Sequence, residues 1–251
     1  MPLHAHGTGP LTVREHRIEV TRTARYYTLG EPGPRVRQVW IACHGYRQLA
    51  ARFIQRLRPL DDGTRLVVAP EALSRFYLDD DGGPHGPEAR IGASWMTRED
   101  RLNEIRDYVG YLDALYDRIF QDLDREQVEL AVLGFSQGAA TATRWTVYGR
   151  ARVDRLVLWA GVVPPDLDLE HDGERLRAAR LTLVAGTEDP LVSMDAVARE
   201  EERLRAHDVP YRLVTWPGRH RVDGELLQQL AESEWKATWA GREICPLQSP
   251  R

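Results

Sequence analysis

The sequence predicts an α/β protein with a mostly parallel central sheet and helices on both faces. Segments with strand composition alternate with segments of helical periodicity along most of the chain. Several of the strand segments are continuous apolar runs, such as Val39–Cys43, which is typical of strands buried on both faces. Alternation of this kind implies parallel strands joined by right-handed crossovers. Because the 251 residues contain no repeat, low-complexity segment or linker, we expect a single domain over 1–251.

The N-terminal segments predict an antiparallel hairpin at one edge of this sheet. Leu11–Val20 and Ala24–Leu29 have strand composition, and Thr21–Thr23 forms a short turn between them. A buried strand, a helix and a second buried strand are predicted next, at Arg37–His44, Leu49–Leu57 and Thr64–Ala69.

Glu71–Met96 is the longest stretch without a regular pattern. It contains the Gly- and Pro-rich segment Asp79–Pro87 and is flanked by aromatic residues. Long loops without secondary structure of their own are uncommon in compact domains and are often functional. We therefore expect 71–96 to be a long loop on the substrate side, and the sequence leaves open whether it acts as a lid.

The rest of the chain continues the alternation. Thr97 is a predicted cap for a helix that runs to about Leu123, with apolar residues at helical spacing. The later strands are predicted at Val128–Leu133, Arg155–Ala160, Leu181–Ala185 and Tyr211–Trp216. The later helices are predicted at Gln137–Tyr148, within Asp166–Arg180, and at Ser193–His207 and Gly224–Trp239.

Composition argues against several classes of function. With a net charge of −4 and basic residues scattered among acidic ones, nucleic-acid binding has no electrostatic support. No apolar run is long enough to span a membrane, and Met1–Pro10 lacks the features of a signal peptide. Cys43 and Cys245 suggest neither a disulfide framework nor a metal site. We therefore expect a cytoplasmic protein without a metal or other cofactor.

One short motif predicts a nucleophile. Gly134-Phe-Ser-Gln-Gly138 follows the apolar run Val128–Leu133 and precedes a predicted helix. In a nucleophile elbow the serine lies on a sharp strand-to-helix turn, and small neighbours allow the helix to pass close to the strand. This context predicts Ser136 as a catalytic nucleophile. The alternative is a glycine-rich turn that only packs a strand against a helix.

A catalytic serine needs a base, and the base needs an acid that holds its tautomer. Ser136, Asp189 and His220 each follow the end of a predicted strand. In a parallel sheet these ends share one edge, where ligands bind. The chain order Ser, Asp, His is also that of one large class of serine hydrolases.

His220 and Asp189 are selected from several candidates. His220 directly follows the last predicted strand, whereas the other histidines lie in the termini, in polar segments or before Ser136. Asp189 lies in the Gly186–Pro190 turn directly after a strand, unlike the competing Asp166, Asp168 and Asp195. The alternative role for Asp189 is to cap the helix that follows.

Ester hydrolysis also needs hydrogen-bond donors for the oxyanion. The backbone amide after the nucleophile, that of Gln137, is the first candidate. A second donor is expected from the loop after the early buried strand, His44-Gly45-Tyr46, where we predict the Tyr46 amide. The His44 side chain is interpreted as ordering this loop by hydrogen bonding.

The acyl pocket is predicted from apolar residues that flank these segments. Core packing is the alternative role for each of them. The candidates are Phe76, Tyr77, Trp95, Met96, Val163 and Leu191.

Taken together, these motifs resemble the phospholipase/carboxylesterase family of α/β-hydrolases, which includes acyl-protein thioesterases and bacterial carboxylesterases. The resemblance covers about Val39–Leu230 and is most specific in Gly134–Gly138 and Gly186–Pro190. Further matches are His44-Gly45, Ala69-Pro70, Trp95, Gly161 and Gly218–His220. It implies an α/β-hydrolase fold and metal-independent hydrolysis of short- to medium-chain esters or thioesters. It also implies Ser136, Asp189 and His220 as the triad, with the Tyr46 and Gln137 amides as the oxyanion hole.

The sequence departs from the family pattern beside the site. The usual His-Gly-Leu-Gly-Asp is here His44-Gly-Tyr-Arg-Gln48, and the Gly-His pair at the base is Arg219-His220. Tyr46 and Arg47 would narrow or polarise the mouth of the pocket. This affects an acyl-protein thioesterase role more than the hydrolytic chemistry.

The functional prediction is a serine carboxylesterase that acts on a small-molecule ester through an acyl-enzyme. A thioesterase, lysophospholipase or peptidase on the same triad remains an alternative, as does a non-catalytic protein that binds a small ligand. A metal-dependent hydrolase using Asp79–Asp81 and His85 is disfavoured, because these residues lie in a Gly- and Pro-rich loop. The sequence is compatible with either a monomer or a homodimer.

Overall fold

The computed structural model describes residues 13–78 and 85–233 and the backbone of 243–244. The strands in chain order are β1 (Tyr26–Leu29), β2 (Gln38–Cys43), β3 (Arg65–Pro70), β4 (Ser74–Tyr77), β5 (Ile91–Ser94), β6 (Glu129–Phe135), β7 (Arg155–Trp159), β8 (Arg180–Gly186), β9 (Tyr211–Trp216) and β10 (Glu243–Ile244). Eight of them form one sheet in the order β1-β3-β2-β6-β7-β8-β9-β10. All of its pairs are parallel except β1 with β3. The predicted, mostly parallel sheet is confirmed.

Helices cover both faces of the sheet, as predicted. They are α1 (Ala50–Phe53), which continues into a 3-10 helix (Ile54–Leu60), α2 (Arg101–Ile119), α3 (Gln137–Tyr148), α4 (Gly173–Ala178), α5 (Met194–Ala206) and α6 (Gly224–Glu232). Side chains alternate along each strand, so Val39 and Ile41 point to the face that is covered by α2, α3, α4 and α5. Trp40 and Ala42 point to the opposite face, where α1, the 3-10 helix and α6 lie.

The N-terminal antiparallel pair is present, but its partner differs from the prediction. β1 pairs with β3, with Tyr26 opposite Pro70 and Leu29 opposite Val67. Residues 13–25, the described part of the remaining predicted hairpin, form no strand, and Val13 is 95% exposed. β1 instead gains a full ladder from β3 and packs Leu29 beside buried Ile54. The pair is therefore not a hairpin, because the better partner is distant in the chain.

The interpretation of Glu71–Met96 as irregular is wrong in part. β4 and β5 pair antiparallel within it, with Ser74 opposite Ser94 and Tyr77 opposite Ile91. A single bridge between Gln48 and Ala93 then joins β5 to the loop that follows β2. This small sheet is therefore stabilised by a contact with a distant loop, which local periodicity does not encode.

Most of the other helices and strands lie where they were predicted, and the differences are in the residues at which they begin or end. α3 and β9 have the predicted bounds. α2 begins later than expected, after Asp100, whose positive φ of 48° breaks the helical path from Thr97. α6 ends at Glu232, earlier than the predicted Trp239, because the backbone of its C-cap residue Ser233 is extended. Residues 234–239 of the predicted range and Cys245 lie outside the described residues.

Candidate active site

Ser136 lies on a sharp turn between β6 and α3. Its φ of 55° and ψ of −118° place it in a region that non-glycine residues rarely occupy. The turn is tight because a Cβ on Gly134 would collide with Gly138 and Ala139, and one on Gly138 would collide with the Cys43 carbonyl. The strand, the serine and the helix therefore have the geometry expected of a nucleophile elbow.

Asp189 and His220 are directly hydrogen-bonded. The His220 Nδ1 lies 2.8 Å from the Asp189 Oδ2, and their side chains are 18% and 1% exposed, respectively. The other carboxylate oxygen, Oδ1, accepts the backbone amides of Leu191 at 2.8 Å and Val192 at 3.1 Å. Since both oxygens have partners, the carboxylate is held in one orientation and in turn orients the imidazole.

Asp189 does not cap the helix that follows it, which was the alternative role for this residue. Ser193 is the N-cap of α5, and its Oγ accepts the Ala196 amide at 3.2 Å. The Asp189 carboxylate therefore forms its hydrogen bonds with the amides of its own turn and with His220.

The turns that carry Asp189 and His220 are joined to each other. The Thr187 amide donates to the Trp216 carbonyl at 2.9 Å, and the Glu188 amide donates to the Gly218 carbonyl at 3.0 Å. A Cβ on Gly186 would collide with the Gly218 carbonyl. The exits of β8 and β9 thus form one rigid unit, which fixes the distance between the two side chains.

The imidazole also lies beside the serine turn. The rings of His220 and Phe135 are 5.0 Å apart, and Phe135 directly precedes Ser136. The structure therefore brings Ser136, Asp189 and His220 to one edge of the sheet. Phe135 is a supporting residue that sequence reasoning missed, since an apolar residue at the end of a buried strand carries no signal of its own.

The loop after β2 passes directly over the serine. A Cβ on Gly45 would lie 3.2 Å from the Ser136 Cβ. Within this loop the Gly45 amide donates to the Gln48 side chain, the Gln48 amide to the Gly45 carbonyl and the Arg47 amide to the Ala93 carbonyl. In the described part of the chain, the Tyr46 amide has no acceptor.

Gln137 supplies a second available amide. It is the first residue of α3, and the first amides of a helix have no acceptor within that helix. The predicted oxyanion donors, Tyr46 and Gln137, therefore lie in two elements that flank Ser136.

His44 orders the loop, in agreement with its sequence interpretation. It is fully buried, and its Nε2 accepts the Ala72 amide at 3.1 Å. Since an amide can only donate, Nδ1 carries the proton and donates to the Gly45 carbonyl at 2.8 Å. Burial lowers the pKa of His44, which favours this neutral form.

The six candidates for the acyl pocket separate by burial. Trp95 and Val163 are enclosed in the core, with exposures of 3% and 0%. Phe76 and Met96 are half-buried, whereas Tyr77 and Leu191 are exposed. Trp95 also donates its indole N–H to the His44 carbonyl at 2.8 Å, so it supports the loop from below.

Two side chains near the site make contacts that the sequence did not predict. The exposed Tyr46 ring stacks on Phe76, with 5.5 Å between ring centroids. The Gln137 side chain forms hydrogen bonds with Ser94, the last residue of β5, and with Trp95 and Met96. The sequence had indicated a role for its backbone amide only. The sequence signal for this contact was the polar residue itself, because the turn between Ser136 and Gly138 requires only small residues.

Metal-ligand clusters and membrane-spanning helices are both absent from the described part of the chain. Within ranges 13–78 and 85–233 no three His, Cys, Asp or Glu side chains are grouped so that they could hold a metal ion. Asp79–Asp81 lie outside these ranges, and His85 stacks on Tyr77 at 3.8 Å. None of the helices in the same ranges combines the length and the apolar character needed to cross a bilayer.

Solved structures share this architecture. Zea mays acyl-protein thioesterase 2 superposes with a TM-score of 0.62 at 18% identity, covering 83% of this chain and 98% of the thioesterase. A Mesorhizobium loti carboxylesterase gives 0.62 at 18% identity, covering 84% and 95%. The Bacillus cereus carboxylesterase gives 0.60 at 13% identity, covering 83% and 92%. At these identities the likeness shows the α/β-hydrolase fold.

Sequence comparison adds the family. No curated protein sequence matches this chain. Residues 93–235 match the family described as phospholipase/carboxylesterase. The match includes Ser136, Asp189 and His220 and spans more than half of the 251 residues. The chain therefore belongs to the phospholipase/carboxylesterase family of α/β-hydrolases.

Proposed function

We propose that this protein is a serine carboxylesterase that hydrolyses short- to medium-chain carboxylic esters through an acyl-enzyme intermediate. The observation that carries the proposal is the Asp189–His220 hydrogen bond of 2.8 Å beside a serine held at a positive φ. A turn that serves packing alone has no need of an oriented imidazole next to it.

In the first half of the reaction, His220 acts as a general base. The Asp189 carboxylate accepts a hydrogen bond from the Nδ1–H of His220, so the proton stays on Nδ1 and Nε2 is unprotonated. Nε2 then takes the proton of the Ser136 hydroxyl. The Ser136 Oγ attacks the ester carbonyl, and a tetrahedral oxyanion forms. Protonated His220 then gives its proton to the departing alcohol oxygen, which leaves the acyl group on Ser136.

In the second half, water replaces the alcohol. His220 removes a proton from the water, and the resulting hydroxide attacks the acyl carbonyl. The second tetrahedral intermediate collapses, the acid is released and Ser136 regains its proton from His220. In both intermediates the oxyanion accepts the amides of Tyr46 and Gln137. One such donor contributes about 10²–10³-fold to kcat in related chemistry.

The surface around Ser136 supports a limited acyl length. Tyr46 follows Gly45, which contacts the serine, and its ring is 50% exposed and stacked on Phe76. This aromatic pair is large and narrows the approach from the β4–β5 side. Leu191 provides exposed apolar surface next to the Asp189 turn. Phe76 and Leu191 are therefore our preferred contacts for the substrate.

A thioesterase, lysophospholipase or peptidase would use the same three side chains. Because the structurally similar maize protein is an acyl-protein thioesterase, thioesters are tested beside esters. Comparing kcat/KM for an ester and a thioester with the same acyl group separates these two activities. A small-ligand binding protein is the remaining alternative, and it would not turn over any of these compounds.

The test is hydrolysis of p-nitrophenyl esters, acetate through palmitate, by the wild type and by Ser136→Ala. We expect turnover that is highest for short to medium chains, is insensitive to EDTA and is lost in the variant while the fold is retained. Labelling of the wild type alone by a fluorophosphonate would identify Ser136 as the nucleophile. Activity retained by Ser136→Ala, or an unlabelled and inactive wild type, would contradict the proposal.

A further inference from the structure

The side chain of Gln137 is fully engaged by one short segment of the chain. Its Oε1 accepts the Trp95 amide at 3.1 Å, and its Nε2 donates to the Ser94 Oγ at 3.2 Å and the Met96 carbonyl at 2.9 Å. An amide N–H can only donate and a carbonyl can only accept, so these partners define which end of the Gln137 amide faces which group. The side chain is thus fixed at both ends.

The same segment holds the loop that carries the Tyr46 amide. The Trp95 indole donates to the His44 carbonyl at 2.8 Å, and the Trp95 and His44 rings are 5.2 Å apart. Two residues before Trp95, the Ala93 carbonyl accepts the Arg47 amide at 3.0 Å, and the Ala93 amide donates to the Gln48 carbonyl at 3.2 Å. β5 and Trp95 therefore attach to the loop on both sides of Tyr46.

These contacts form one continuous connection. It runs from the Gln137 side chain through Trp95 to His44, and from there along the backbone to Tyr46. Its two ends carry the two amides assigned to the oxyanion in the proposed function. Gln137 belongs to α3, whereas Tyr46 belongs to the loop after β2. The pairing of Cys43 with Gly134 places the two elements side by side, and the contacts of the 94–96 segment are the ones that reach the loop itself.

We propose that the Gln137 side chain is a positioning residue that sets the geometry of the oxyanion hole by anchoring the 94–96 segment. The inference rests on the proposed function, because it assigns no chemistry to the side chain itself. Gln137 then acts twice, through its backbone amide as a donor and through its side chain as the anchor of the opposite donor. This accounts for a polar residue at a position where the turn itself requires none.

The test is Gln137→Met, which keeps the backbone amide and a side chain of similar length but removes all three side-chain hydrogen bonds. Active sites are counted with a fluorophosphonate, so that a loss of folded enzyme is separated from a slower reaction. We expect kcat per active site to fall by about 10- to 100-fold with KM little changed, because an ångström-scale misplacement costs up to about 10²-fold. Affinity for a trifluoromethyl ketone, which forms a tetrahedral adduct on the serine, should fall in parallel with kcat/KM.

Gln228→Met is the matched control. Gln228 lies on α6, and its Nε2 donates to Glu232 at 3.0 Å on the exposed helix surface. This variant should keep the wild-type kcat. An unchanged kcat per active site and ketone affinity in folded Gln137→Met would overturn the inference.

Trp95→Phe provides a second test that does not depend on the folding of Gln137→Met. It removes the indole bond to His44 and retains the backbone amide that Gln137 binds. We expect kcat per active site to fall by about 10- to 100-fold, and an unchanged kcat in folded Trp95→Phe would overturn the inference. If Gln137→Met folds as well, the double variant should lose less than the product of the single losses. Independent, fully multiplicative losses would overturn the inference. A wild type that is inactive and unlabelled would instead overturn the proposed function and this inference with it.

Discussion

The Asp189 carboxylate joins the His220 imidazole through Oδ2 at 2.8 Å and is itself held through Oδ1 by two backbone amides. Asp189 is almost completely enclosed, whereas His220 keeps 18% of its side-chain surface exposed. A buried, fully bonded acid next to a partly accessible base is the arrangement needed to hold one tautomer while leaving the other ring nitrogen for chemistry.

The first prediction concerns this pair. Asp189→Asn keeps the shape of the side chain but replaces the carboxylate that accepts the Nδ1–H hydrogen bond. His220 therefore loses the partner that fixes its tautomer. We expect kcat on p-nitrophenyl butyrate to fall by about 10⁴-fold, as for triads of this type. Asp195→Asn, an exposed position on α5, should leave kcat unchanged. A loss below tenfold in Asp189→Asn would show that the acid lies elsewhere.

The second prediction concerns the close contact between α3 and β2. A Cβ on Gly138 would collide with the Cys43 carbonyl, which is backbone and cannot move aside. We expect Gly138→Ala to lower the free energy of unfolding by about 1–3 kcal/mol, measured by urea denaturation. Gly110→Ala on α2 is the control, since no atom lies within 4 Å of its added Cβ. That change should stabilise the protein by about 0.5–1 kcal/mol.

The third prediction concerns Glu200 on α5. It is 5% exposed, its Oε1 has no hydrogen-bond partner within the described ranges, and its Oε2 is 3.3 Å from Arg203. Burial raises the pKa of Glu200 from 4.5 to about 7, despite the opposing effect of Arg203. The folded state therefore binds this proton more tightly than the unfolded state does.

It follows that Glu200 stabilises the fold below about pH 4.5 and that this contribution is lost as the pH rises towards 7. Glu200→Gln should remove that dependence, so its free energy of unfolding relative to the wild type should rise between these pH values. We expect a change on the order of 1–3 kcal/mol in urea titrations from pH 4.5 to 8. Glu202→Gln, exposed on the same helix, should follow the wild type at every pH.

Local patterns predicted much of this molecule because burial has a periodicity that the chain records. The apolar runs of β2 and β6 required cover on both faces, and helices supply it. The glycines on either side of Ser136 indicated a close strand–helix approach. In the structure the backbone passes so close that a Cβ added at Gly134 or Gly138 would collide with it. A pattern of apolar residues shows which face of a strand is buried, but it does not show which segment buries that face. The strand partner was therefore harder to predict. β1 was expected beside the preceding segment and pairs with β3.

By itself, the sequence determined that Ser136, Asp189 and His220 follow the ends of strands. Because the carboxyl ends of parallel strands lie at one edge of the sheet, the three residues had to lie at that edge. Only the tertiary structure decided which atoms meet there. It selected the Asp189 Oδ2 for His220, left the Tyr46 amide without an acceptor in the described part of the chain and joined Gln137 to Trp95 across 42 positions. The physical reason is that periodicity reports local burial, whereas a hydrogen bond depends on where two distant segments come to rest once the core has packed.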